Sequence, residues 1–174
     1  MKKLIIIIAV LFTSVTFAQE CNLTLRDILS IDSQKSFERL LIENNFERLS
    51  HTESEVDNLT KAELVYGLNL TKDENGQYRS PLWAAGEFYA WIESSDINTG
   101  TWRLVDVNYD ETNSFYNRIF NEVKQKCKFY KIESVDKESI SEYICPDTSF
   151  DGRIGFHIFS GNGEIIILPS NEGW

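Results

Sequence analysis

The sequence predicts an α+β protein built from two tandem helix–β-meander units that share one antiparallel sheet, with helices on one face. Three observations lead there. Two stretches with helical apolar spacing, at Phe37–Asn44 and Phe115–Val123, are each followed by runs that alternate apolar and polar residues. Turn signals fall between those runs, among them Asn75-Gly76 and Ser160-Gly161-Asn162-Gly163. The richest run, Pro81–Asn108, reads as two strands joined by a polar turn and holds three of the four tryptophans.

The chain has 174 residues. Its beginning is expected to be a signal peptide of bacterial type over residues 1–18. Lys2 and Lys3 form a basic start, Leu4–Phe12 an apolar core, and Thr16-Phe17-Ala18 a small-residue cleavage site. That apolar run is shorter than the ~20 residues a bilayer span needs. Residues 19–174 then form a single exported α+β domain, periplasmic or extracellular. Its sub-repeats fall at about 32–109 and 110–169. Aromatic residues make up 13% of the chain, which excludes a disordered tail. The net charge is -10, and losing Lys2 and Lys3 with the signal makes it -12. Such a charge argues against nucleic acid and anionic membrane surfaces as partners and permits a basic protein.

The elements follow in order. Thr24-x-x-Asp27 resembles a capping box, so Leu25–Ser30 can form a short helix. Asp32-Ser33 opens a clearer one, with Phe37, Leu40 and Leu41 on one stripe and Asn44-Asn45 able to end it. Phe46–Thr60 is polar and reads as a connection. Ala62–Leu70 alternates as a strand, and Asp73–Gly76 turns the chain. In Trp83–Glu93 the even positions Ala84, Gly86, Phe88, Ala90 and Ile92 suit a face lying against a helix. The odd positions Trp83, Glu87, Tyr89, Trp91 and Glu93 mix aromatics with carboxylates, as on a wet, adhesive surface. Trp102–Tyr109 returns. The second helix, capped by Asp110 or Thr112, presents Phe115, Tyr116, Ile119, Phe120 and Val123. Phe129–Val135 pairs with Ile140–Cys145, and Arg153–Phe159 with Glu164–Leu168. A helix followed by three or more strands therefore occurs, and then the same order again.

Cys127 and Cys145 flank a hairpin and are expected to pair, as an oxidising compartment allows. Cys21 is left odd. A free thiol, an intermolecular bridge and pairing with either other cysteine all remain open. Acylation of Cys21 as a lipoprotein is disfavoured, because Glu20 stands where a lipobox needs a small residue.

Sites for chemistry are sparse. Two histidines, His51 and His157, do not supply a zinc site, so no metal or cofactor is expected. A Cys–His nucleophile would need a cysteine kept reduced in an oxidising compartment. Asp73-x-Asn75-Gly76 lacks the ligand count of a calcium loop and reads as a turn. Glu87 and Glu93 beside Trp83, Tyr89 and Trp91 suit either a protein-binding face or a sugar-binding one. His157 and Phe159 on the later strand would extend the same face.

The element order, the hairpin disulfide and the aromatic face resemble the β-lactamase-inhibitor-protein architecture and the small periplasmic PepSY-type repeats. The resemblance covers most of the mature chain and transfers no residue role by motif. It implies one curved sheet with helices on its back and a concave, aromatic-rich face that grips a protruding element of a target protein. The expectation is thus a non-enzymatic protein-binding module in an inhibitor, immunity-like or envelope-sensor role, with Trp83, Tyr89 and Trp91 as anchors. The alternatives are a carbohydrate-binding or glycan-processing domain and a structural envelope protein.

Overall fold

The computed structural model describes residues 21–91, 97–135, 138–146, 153–159 and 161–168. The expected signal at 1–18 and the tail at 170–174 lie outside them. Helix α1, Leu25–Leu29, starts at the predicted capping box. Asp27 N–H donates to Thr24 Oγ1 at 3.2 Å, and Thr24 N–H donates to Asp27 Oδ2 at 2.9 Å. Helix α2, Gln34–Glu43, is capped by Ser33 and buries Phe37 and Leu41. The chain leaves it through Asn45 at φ 63, a left-handed position that asparagine tolerates.

Strands β1, Phe46–Val56, and β2, Leu59–Leu68, form a hairpin next. This corrects the expectation of a connection over Phe46–Thr60. Every residue of β1 except Phe46 is exposed, so the strand carries no burial pattern to betray it. Its backbone is satisfied on one side by β2, and Asp57 and Asn58 turn the chain with φ 50 and 66. Two consecutive positive φ values suit a two-residue hairpin turn, and Asp and Asn bear them better than most residues. In β2 the predicted alternation holds, with Ala62, Leu64, Tyr66 and Leu68 all buried.

A small hairpin of β3, Thr71–Lys72, and β4, Tyr78–Arg79, follows. The Asp73 carboxylate organises its turn by accepting from the N–H groups of Asn75 and Gln77, both at 2.9 Å. The Arg79 guanidinium beside it, and then the Gln77 N–H, hold that carboxyl below its usual value. Strands β5, Leu82–Trp91, and β6, Ile97–Asp106, come next. Helix α3 spans Phe115–Lys126 and is capped by Ser114, not by Asp110 or Thr112. The Ser114 side chain accepts from Asn117 N–H, and the buried Asp106 carboxylate accepts from Tyr116 N–H at 2.8 Å. These two acceptors take two of the N–H groups that a helix start leaves open. Strands β7, Lys128–Val135, β8, Glu138–Ile144, β9, Arg153–Phe159, and β10, Asn162–Leu168, complete the chain.

The large sheet is antiparallel, with eight strands in the order β1-β2-β5-β6-β10-β9-β8-β7. Four of its strands follow α2, where the sequence suggested three, and four follow α3. The fourth strand of the first run is β1, missed for the reason given above. Phe37 of α2 packs against Tyr66 and Phe88, and Tyr116 and Phe120 of α3 pack against Phe156. Gly86 allows the first contact, since a Cβ there would lie 2.5 Å from the Phe88 ring and 3.1 Å from that of Phe37. Gly86 and Phe88 of β5 therefore lie against α2, and Ile92 of the same expected face lies outside the described residues.

The Cys127–Cys145 disulfide ties the end of α3 to the end of β8 across 18 residues of sequence, and Cys21 is free. Among the described residues, no helix is long and apolar enough to cross a membrane.

Two stability changes are expected. Phe88 is 2% exposed, with its ring 5.4 Å from Phe37 and 6.2 Å from Trp102. Phe88→Ala should lower the unfolding free energy by about 3–5 kcal/mol in urea titrations, and a loss under about 1 kcal/mol would contradict this packing. Reducing the disulfide should remove about 3 kcal/mol through the loop it closes. An unchanged urea midpoint after reduction would show that the link does not constrain the unfolded chain.

Candidate binding face

Cross-strand register decides which side chains share the face opposite Phe37. One row crosses all eight strands: Ser50, Val65, Ala85, Arg103, Ile166, Gly155, Glu142 and Lys131. A second row runs Gly67, Trp83, Val105, Glu164 and His157. A third runs Thr52, Glu63, Glu87 and Thr101. On this face lies a concavity of about 740 Å³. Ser50 and Thr52 of β1 line it together with Glu133 of β7 and Ile140 and Glu142 of β8. Strands from the two ends of the sheet thus border one hollow, so the sheet curves toward this side. Val65, Ala85 and Ile166 give the hollow an apolar floor.

The rim is a lattice of charge. Glu63 and Glu87 stand directly opposite one another on β2 and β5, an unfavourable pairing taken alone. Lys61 Nζ lies between them, 2.6 Å from Glu63 Oε1 and 3.4 Å from Glu87 Oε2. Its hydrogen bond to Glu63 raises the lysine above its usual value and holds Glu63 below its own. Tyr89 adds a donor, its hydroxyl 3.1 Å from Glu87 Oε2. Across the hollow Glu142, only 2% exposed, takes Arg153 at 2.8 Å and Lys131 at 3.7 Å. Lys131 also pairs with Glu133 at 3.0 Å. Burial, and then the Glu133 carboxylate, push Glu142 above the ordinary carboxylate value against the pull of Arg153 and Lys131. Its protonation is therefore easier in the folded chain than in the unfolded one. The stability this contributes is full at acid pH and is lost as pH rises through the raised value. Glu133 is held low, chiefly by Lys131, and acts in the opposite sense.

The anticipated site residues are distributed unevenly. Glu87 lines the hollow. Trp83 and Tyr89 are half-buried on the same face, to either side of Glu87 along β5. His157 shares the row of Trp83 and is 8% exposed, with Nδ1 3.3 Å from Glu164 Oε2. Arg103 Nη1 meets the other oxygen of Glu164 at 3.3 Å. Phe159 is half-exposed, with its ring 5.7 Å from that of His157. Trp91 ends β5 opposite Leu59, but its side chain and the whole of Glu93 lie outside the described residues. Trp102, the third tryptophan of the stretch, is buried and stacks on Phe88.

Sequence reasoning did not single out Glu63, Arg103, Glu133, Ile140, Glu142 or Ile166 for this face. Alternation alone would have placed Glu63 opposite the apolar side of β2. The rest needed the pairing order of the strands, which alternation does not carry. The face is also less acidic than the chain as a whole, since Lys61, Arg103, Lys131 and Arg153 answer its carboxylates.

The arrangement offers a curved, partly apolar surface with paired charges. Among the described residues, no three His, Cys, Asp or Glu side chains converge as metal ligands. Cys21 is half-buried against the core, and burial pushes its thiol up to about 11. A raised value keeps the thiol protonated near neutral pH, which disfavours nucleophilic use. Iodoacetamide should therefore label Cys21 in the native protein at least ~10-fold more slowly than in urea at pH 7.5. Equal rates would show an accessible, ordinary thiol.

Comparison with protein-family models, with curated proteins and with solved structures finds no match.

Proposed function

We propose that this chain is an exported, non-enzymatic protein-binding module, acting as an inhibitor, an immunity-like protector or an envelope sensor. Two tandem helix–β-meander units, with their helices on one face, leave the other face of the sheet for a partner. The observation that carries the reading is the 740 Å³ hollow bordered by both ends of the sheet. A hollow of this form suits a protruding element of another protein, with apolar side chains seated on Val65, Ala85 and Ile166 and cations exchanging onto Glu63, Glu87 and Glu133. Trp83, Tyr89 and Trp91 would anchor one flank, because large aromatics contribute most of the energy in such contacts. The Cys127–Cys145 disulfide and the signal-like residues 1–18 support an oxidising, extracytoplasmic location.

The carboxylates are already paired internally, so a basic partner displaces lysine and arginine heads as it docks. Charge then serves orientation and specificity more than net affinity. The rival reading, a sugar-binding domain, draws on the same neighbours, Trp83, Tyr89 and Glu87.

Pull-downs from the native envelope decide between them. Wild type should retain a specific protein that Trp83→Ala and Trp91→Ala each release. Each substitution should weaken binding by about 2 kcal/mol or more. Ile42→Ala, on the exposed side of α2, should leave retention unchanged. Retention of the same protein by both tryptophan variants would sink the anchor assignment. Saccharide binding on a glycan array, with quenched tryptophan fluorescence, would favour the rival.

A further inference from the structure

The two ends of the sheet are built differently. No described strand pairs with the outer side of either β1 or β7. β1 is exposed along nearly its whole length and carries Glu47, Glu53 and Glu55, charges of the kind that keep an edge from pairing. β7 carries Phe129, Tyr130 and Ile132 instead, and Ile132 at 62% is the most exposed of the large apolar side chains described. A bulge lies between Phe129 and Lys131, and beyond it the strand runs regularly from Lys131 to Val135 against β8.

We propose that β7 is the contact through which two copies of this chain associate, pairing antiparallel about a two-fold axis through Ile132 and continuing the sheet from one molecule into the other. The occupant follows from charge. With the axis on Ile132, the two isoleucines face each other and Lys131 of each copy faces Glu133 of the other. Two cross-strand ion pairs then flank an apolar centre. Moving the axis to Glu133 sets like carboxylates face to face, and moving it to Lys131 does the same with two ammonium groups. Ile132 is therefore the one central residue of this segment about which the strand is complementary to itself. An isologous contact of this kind closes on two copies and does not propagate. It also gives partners to the outer backbone groups of β7, with which no described strand pairs, as added strands do at open sheet edges. The contact lies on the edge of β7 and shares Glu133 with the lining of the concave face, while Ile132 is no part of that lining.

Sedimentation velocity of the purified protein over a concentration series tests this. The wild type should pass from monomer to dimer as concentration rises, and Ile132→Lys should remain monomeric throughout. Lys131→Glu and Glu133→Lys should each abolish the dimer, and the double reversal should restore it, because the facing charges are then opposite again. Far-UV circular dichroism melts establish that each variant folds. Should Lys131→Glu disturb Glu142 and lose the fold, Ile132→Lys and Glu133→Lys still decide the matter. A wild type that stays monomeric, or a dimer that survives Ile132→Lys, overturns the proposal. A double reversal that folds but stays monomeric overturns the register.

Discussion

Five residue pairs, from Gly163 opposite Asp106 to Ile167 opposite Trp102, join the four strands after α2 to the four after α3. Everything about the faces depends on their register. Ile165 and Ile167 are buried on the side of Leu104 and Trp102, while Glu164 and Ile166 point to the other side with Val105 and Arg103. A slip of one residue would exchange these sets and drive Glu164 into the core. The junction is fixed from above as well. Asp106 ends β6, accepts from Asn108 N–H at 2.9 Å, and reaches the start of α3 through Tyr116 N–H. One carboxylate thus fixes the end of the central strand, the turn after it and the helix that follows. Gly163, opposite Asp106, leaves room for Tyr109 and Tyr116 to pack directly on the strand.

That junction also determines what the concave face can be. Because β6 and β10 meet in the middle, β1 and β7 fall at opposite ends and curve toward a common hollow. Its charges are paired mostly across strands, and each cross-strand pair exists only if the register is right. Arg103 on β6 meets Glu164 on β10, and Arg153 on β9 meets Glu142 on β8. Such pairs contribute little to stability at a surface. They confine the rim side chains, so that the face presents a preset pattern of charge.

Much of the fold was legible in the sequence because burial writes itself as alternation. β2 and the even positions of β5 from Leu82 to Phe88 show it, and the Phe115–Val123 face of α3 shows the helical equivalent. The Cys127–Cys145 pairing followed from the hairpin those cysteines flank. β1 was illegible for the opposite reason: with ten of its eleven residues exposed, nothing in it alternates between core and solvent. The helix cap at Ser114 was obscured by Asp110 and Thr112, which are equally able caps. The site was legible along β5 and, through His157, on β9. Its far wall, Glu133, Ile140 and Glu142, lies on strands brought opposite Glu87 by pairing order and curvature, neither of which local sequence encodes.

Glu142 shows what the far wall demands of the fold. A carboxylate this buried is unfavourable unless its partners are in place, and replacing such a group with an apolar one is often neutral for stability. Its role is better sought in specificity. Glu142 lies between Lys131 on β7 and Gly155 on β9 in one row, with Arg153 near enough to bind it. Sliding β8 by one residue would place the carboxylate on the side of Tyr143, among the rings of Phe120, Phe129 and Phe156 and away from Arg153 and Lys131. The charge therefore penalises the wrong register more than it stabilises the right one. Gly155 completes the device, since a Cβ there would come within 2.9 Å of Ile140 Cγ2. The same residues that bar a slipped sheet thereby form the wall a partner would meet.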